Sequence, residues 1–137
     1  MMRAVFDTNV LFSAIFKRTG TPAQVFNLVV TGVLQPCVSD AVLGEYRDVL
    51  LLRPVLRAHE RRTMEVLDLI ERVGEHVFPT APLSRCSDPD DNCFLECAAA
   101  AAAEYLITGN TRHFPESHGQ TRIVTPRQLL QLLDLPE

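Results

Sequence analysis

The sequence has a single lysine, Lys17, among 13 lysines and arginines. That scarcity counts against enzymes that phosphorylate an aspartate, which need a second nearby acid and a lysine late in the chain. Asn9, not an acid, stands two residues after the first aspartate, Asp7. There is no glycine-rich phosphate loop, which disfavours nucleotide-binding enzymes. There is no Cys-x-x-Cys pair. Cys93 and Cys97 lie one helical turn apart, with Cys86 before and His113 after them, but reduced, buried thiols are the expected state rather than a zinc site. Long apolar runs are missing too. The stretch from Cys97 to Ala103 is mostly alanine and too short to cross a bilayer, and the opening run ends at Asp7, too early for a signal peptide. The expectation is a soluble, cytoplasmic protein with no membrane partner.

What is present fits one domain of 137 residues, with 47% apolar and 22% charged residues. That balance suits a folded globule with a sheet covered on both faces. The net charge of −4 weighs against a nucleic-acid partner. Two divalent cations held by an acid cluster would cancel it, and Arg47, Arg53, Arg57, Arg61 and Arg62 form a basic stretch in the middle of the chain.

Hydrophobic patterning alternates strands with helices. Arg3 to Phe6 reads as a buried strand stopped by Asp7-Thr8-Asn9. A short helix is predicted over 10–16, and a second opens at Pro22 with Thr21 as its cap and closes at Gly32. Leu34 to Val38 reads as a strand made short or irregular by Pro36. Ser39-Asp40 caps a helix over 41–51, and another spans 55–73, ending at Gly74. Glu75 to Phe78 is a third strand. Asp88-Pro89-Asp90-Asp91 opens a helix through Ala103, Tyr105 to Thr108 is a fourth strand, and Ile123-Val124 a possible fifth before a helix at Pro126. This order predicts a three-layer α/β/α sandwich with a mostly parallel sheet of four to five strands.

Ligands of such sheets collect beyond the carboxyl ends of the strands. Asp7 follows the first strand, and Asn110 follows the fourth. Asp88 and Asp91 open a helix running back from that same edge, and Glu45 sits early in the helix after the second strand. Taken singly, Asp7 reads as a helix cap, Asp88 and Asp90 as charges answering a helix dipole, and Asn110 as a turn residue. Glu45 shares its side with Val42, Tyr46 and Val49, which places a carboxylate at the border of an apolar face. Asp91 shares a face with Phe94, Leu95 and Ala98. Together they gather oxygen-bearing side chains on one rim, an arrangement that like-charge repulsion disfavours without a shared cation. Hard divalent ions prefer such ligands, and they work on phosphates.

These residues resemble the PIN-domain family: Val5-Phe6-Asp7-Thr8-Asn9-Val10, then Glu45, then Asp88 to Ala98, then Tyr105-Leu106-Ile107-Thr108-Gly109-Asn110. The chain looks most like short bacterial PIN proteins described as toxin components of toxin–antitoxin pairs. The resemblance implies a Mg²⁺- or Mn²⁺-dependent endoribonuclease with one or two ions, leaving a 5′-phosphate and a 3′-hydroxyl. It implies Asp7, Glu45 and Asp91 as the metal-binding, catalytic acids, supported by Asp88, Thr8, Asn9, Thr108 and Asn110. It further implies an RNA substrate, a homodimer and a small antitoxin. Lys17, Arg18, Arg47 and Arg53 are the candidate contacts for RNA phosphates. In one respect the chain departs from the family: Asn110 stands where an acid is common. That raises the alternative of a catalytically weakened module that binds RNA or protein. The acidic run also leaves open whether Asp88 or Asp91 is the main ligand.

Overall fold

Ala4, Val5 and Phe6 are consecutive and all buried, so the first strand is covered on both faces. The structure, a computed structural model, describes residues Met1–Glu137. It runs β1 (Met2–Phe6), α1 (Thr8–Phe16), α2 (Thr21–Val30), β2 (Leu34–Val38), α3 (Asp40–Leu52), a 3-10 helix (Pro54–His59), α4 (Glu60–Val73) and β3 (Glu75–His76). A second 3-10 helix (Pro89–Asp91) leads into α5 (Asn92–Ala101) and β4 (Tyr105–Ile107). A third (Thr111–His113) precedes β5 (Ser117–His118), β6 (Thr121–Val124) and α6 (Pro126–Leu132). No helix is long and apolar enough to cross a membrane.

The sheet has six strands in the order β3-β2-β1-β4-β6-β5. All neighbours are parallel except β5 and β6. The connections β1-α1/α2-β2 and β2-α3/α4-β3 step in one direction and β3-α5-β4 steps back. Right-handed crossovers therefore put α5 on the face opposite α1, α2 and α4, while α3 packs against both α1 and α5. On α1, Leu11 and Ile15 are one turn apart and fully buried, each contributing about 2 kcal/mol.

Several boundaries differ from the sequence expectation, each for a local reason. The extra strand is β5, a two-residue partner of β6 across a turn in which Gly119 has φ +57. It is too short to show any periodicity. Pro36 does not disturb β2, which pairs regularly with β1. Val77 donates to the Val38 carbonyl, so the even-numbered residues of β2 face β3, and β3 begins only opposite Cys37. The missing N–H of Pro36 thus faces a position with no strand, and Gln35 Nε2 donates to the Pro36 carbonyl at 3.0 Å. The cap of α2 is Gly20, at φ +100, and Thr21 lies inside the helix. The expected helix over 55–73 is split because Pro54 opens a tighter turn before α4. The helix expected from Asp88 also starts as a 3-10 turn, and it stops early because Ala102 adopts the left-handed conformation at φ +49.

Tyr46 joins α3 to the end of β1. It is 1% exposed, stacks on Phe94 and donates its hydroxyl to the Phe6 carbonyl at 2.6 Å. That carbonyl lies beyond the last β1–β2 pair, Ala4 with Pro36. The hydroxyl thus completes the main chain immediately before Asp7. We expect Tyr46→Phe to cost about 1–2 kcal/mol by leaving a buried carbonyl unsatisfied. Urea unfolding checks this: the midpoint falls with the slope unchanged, and an unmoved midpoint would mean that another donor replaces the hydroxyl.

Candidate active site

The carboxyl end of β1 delivers Asp7. Its N–H donates to the Ile107 carbonyl at 2.9 Å, extending the β1–β4 ladder, and it caps α1 by accepting from the Asn9 N–H at 3.5 Å. The cap reading and the site reading of Asp7 are therefore compatible. Its other oxygen accepts from the Thr108 hydroxyl at 2.8 Å. Only 6% of Asp7 is exposed. Burial pushes its carboxyl above the ordinary range, against the pull of the Thr108 hydrogen bond.

Glu45 and Asp91 reach the same place from α3 and from the turn before α5. With Asp7 they line one cavity of about 240 Å³, together with Thr8, Asn9 and Arg53. The Glu45 carboxyl is raised by partial burial and then by the charges of Asp90, Asp48, Asp7 and Asp88. Asp91 is pushed up to about 6, first by burial and then by Asp7 and Asp88, with His113 pulling the other way. A larger open groove of about 860 Å³ between the third 3-10 helix and α6 contains none of these acids.

The surrounding residues divide by what they touch. Asp88 is exposed and accepts from the Asp90 N–H at 3.0 Å as the cap of the 3-10 turn, whereas Asp91 faces the cavity. Asn9 Oδ1 accepts from the Gly109 N–H at 3.1 Å, tying the exit of β1 to the exit of β4. The Thr108 hydroxyl accepts from the Asn110 N–H at 3.0 Å, and Asn110 Nδ2 lies 3.0 Å from His113 Nε2. Asn92, which the sequence pattern places off the Asp91 face, is buried and accepts from the Cys86 N–H at 3.0 Å, anchoring the loop before the acids. His113, considered from sequence only as a possible zinc ligand, has Nδ1 3.4 Å from Asp91 Oδ2. Its one sequence signal was its place three residues beyond Asn110.

Of the four basic candidates, Arg53 borders the acid cavity, with its guanidinium 5.3 Å from the Phe12 ring centroid. Arg47 pairs with Glu71 across α3 and α4. Arg18 lines a separate cavity with Arg62, and Lys17 is exposed on the loop after α1. Burial pushes the thiols of Cys37, Cys93 and Cys97 up to about 12 and that of Cys86 to about 11.

The donor set suits a hard divalent cation: carboxylate oxygens pushed toward their protonated forms first by burial and, for Glu45 and Asp91, also by neighbouring acids. The Thr8 hydroxyl, buried at the cavity wall without a hydrogen-bond partner, adds an oxygen free to engage a ligand. No three ligand-type side chains are preassembled around a single point. The fit lies in chemistry and charge rather than in a ready-made cage.

A family model described as PIN domain matches residues 3–112. The chain belongs to the PIN-domain family. A relative, uncharacterized protein MJ1680 of Methanocaldococcus jannaschii, is 30% identical over 112 residues, covering 80% of this chain and 71% of that one. The PIN architecture recurs in VapBC2 from Rickettsia felis, solved bound to a promoter DNA fragment, with TM-score 0.59, 17% identity and coverage of 90% and 98%. DNA-bound VapBC from Salmonella typhimurium matches with TM-score 0.60, 18% identity and coverage of 92% and 99%.

The raised Asp91 carboxyl makes this PIN domain sensitive to pH when no metal is added. A group that binds its proton more tightly when folded gives stability that is complete below about pH 4, its unfolded range, and lost as pH rises. For Asp91 that loss runs from about pH 4 up through about pH 6, its folded value. Asp91→Asn is expected to gain melting temperature relative to wild type as pH rises through this window. Melting curves that stay parallel across it would show that Asp91 is not the site of the repulsion.

Proposed function

We propose that this PIN domain is a divalent-metal-dependent endoribonuclease acting as the toxin of a toxin–antitoxin pair. The observation that carries the reading is the meeting of Asp7, Glu45 and Asp91 around one cavity with Arg53 at its edge. Asp7, Glu45 and Asp91 would hold Mg²⁺ or Mn²⁺. Such an ion supplies Lewis acidity, drawing charge from the phosphate and making water a stronger nucleophile. Thr108 and the main chain of β1 hold Asp7 in place. The Arg53 guanidinium, steadied over Phe12, attracts the RNA phosphate that the acids would otherwise repel. The shared fold with the VapBC complexes supports an antitoxin partner for this chain. Phe16, Leu51, Leu52, Val55 and Met64 are exposed apolar side chains on α1, α3, the first 3-10 helix and α4, suited to covering by an antitoxin or a second copy.

Asn110 favours a second reading, a PIN module that binds without cutting. Cleavage of end-labelled RNA with Mn²⁺ separates the two. Wild type should cut, leaving 5′-phosphates, and Asp7→Asn, Glu45→Gln and Asp91→Asn should each slow it by about 10²-fold or more while remaining folded. Activity that survives Asp7→Asn would remove Asp7 from the chemistry, and a wild type that binds RNA without cutting it would favour the binding module. Arg53→Ala should raise KM with little change in kcat, and flatten the slope of log affinity against log salt by about 0.7. An unchanged slope would place the RNA elsewhere.

A further inference from the structure

The open groove between the third 3-10 helix and α6, about 860 Å³, is far larger than the acid cavity of about 240 Å³. The chain leads directly from one to the other. Thr111, in the groove wall, follows Asn110, and Arg112 stands beside His113, whose Nδ1 lies 3.4 Å from Asp91 Oδ2. From there the groove runs along β6, where Arg122 and Val124 line it at the levels of Tyr105 and Ile107 of β4. Asp7 leaves β1 just past the level of Ile107. Arg122 is therefore at the end of the groove away from the acids, two strand residues or about 7 Å below Val124.

The lining is rich in uncommitted donors. Arg3, Arg47, Arg72 and Arg127 are each paired with a carboxylate. Arg112 and Arg122 are exposed and pair with none, and Glu116 is the single acid that shares the groove with them. Gln128 adds an amide held in place by the cap of α6. Its Oε1 accepts from the Thr125 N–H at 2.9 Å and its own N–H donates to Thr125 Oγ1 at 3.1 Å, so its side chain has the N–H groups of Nε2 left to give. Leu132, 44% exposed, supplies an apolar patch in the same wall. Cationic and amide donors beside an apolar surface match a ligand in which phosphate oxygens alternate with flat rings.

We propose that this groove holds the part of the RNA strand flanking the cleaved bond, with Arg112 and Arg122 on its phosphates. This rests on the nuclease reading above and says where its substrate lies. A strand entering past Arg53 crosses the acids, leaves over Asn110 and reaches Arg112 and then Arg122. It meets cations on both sides of a site whose own charge repels phosphate. An open trough suits a chain that continues beyond both of its ends, whereas a small ligand is held by a cavity that encloses most of its surface.

The test compares RNAs of different length. Binding of a labelled single-stranded dodecamer is read by fluorescence anisotropy without added metal, and cutting of the dodecamer and of a tetramer is measured with Mn²⁺. Melting curves confirm folding. Wild type should cut the dodecamer with a kcat/KM about tenfold or more above that of the tetramer. The double variant Arg112→Ala, Arg122→Ala should lose most of that advantage through a higher KM. It should bind the dodecamer about tenfold more weakly, with the slope of log affinity against log salt flattened by about 1.4, or about 0.7 for each phosphate contact removed. Arg122→Glu should bind more weakly than Arg122→Ala. Arg127→Ala, on α6 outside the groove, should change neither binding nor cutting. Equal efficiency of wild type on the two lengths would overturn the proposal. So would a double variant that binds within about twofold of wild type on an unchanged salt slope, or an equal loss in Arg127→Ala. Cutting by wild type with unaffected groove variants would remove only the groove. A wild type that binds the dodecamer through Arg112 and Arg122 without cutting it would remove the nuclease reading and leave the groove as a binding site, and one that does not bind it would remove both.

Discussion

A buried carboxylate at the end of the central strand sets the terms for this molecule. Asp7 is held by the β1–β4 ladder, by the start of α1 and by the Thr108 hydroxyl. It sits where water cannot disperse its charge, and Glu45 and Asp91, pushed toward their protonated forms first by their own burial, are pushed further by that charge. Folding accepts this conflict because the hydrophobic core around it is large. One cluster of 34 buried residues reaches from α1 through the sheet to α6. The core stabilises the fold, and the rim stores the electrostatic tension that a cation can relieve.

Much of that arrangement was legible in the sequence. Asp7 could be placed because an apolar run ends on it, and Asp91 because it shares a helical face with Phe94 and Leu95. Both inferences use strong local signals: a strand that stops and a 3.6-residue period. The β1, β2 and β4 positions, the cap at Ser39 and the alternation of strands with helices followed from the same kinds of signal. The division of labour between Asp88 and Asp91 did not. Four acids or amides in sequence look interchangeable until the 3-10 turn gives one a cap to serve and turns another inward.

What stayed hidden was short or tertiary. Two-residue strands have no period, and whether Ala102 ends a helix depends on how the next strand must leave it. The ion pair between Arg47 and Glu71 joins residues from different helices. His113 acquires its meaning only when the chain after β4 turns back over the acids. Asn92 reads correctly from sequence as lying off the acid face, but its tie to the Cys86 N–H is a loop contact that no local pattern shows.

The two margins of the sheet have a consequence for how the molecule meets others. Each ends in a strand of only two residues, β3 on one side and β5 on the other. On β3, Glu75 is paired with Arg3 and His76 with Asp40, so charged side chains flank what little backbone is left open. Such a border gives a foreign strand nothing to zip onto. Self-assembly by sheet extension, and the fibrous aggregates it leads to, are thereby discouraged, and association is directed to the helical faces instead.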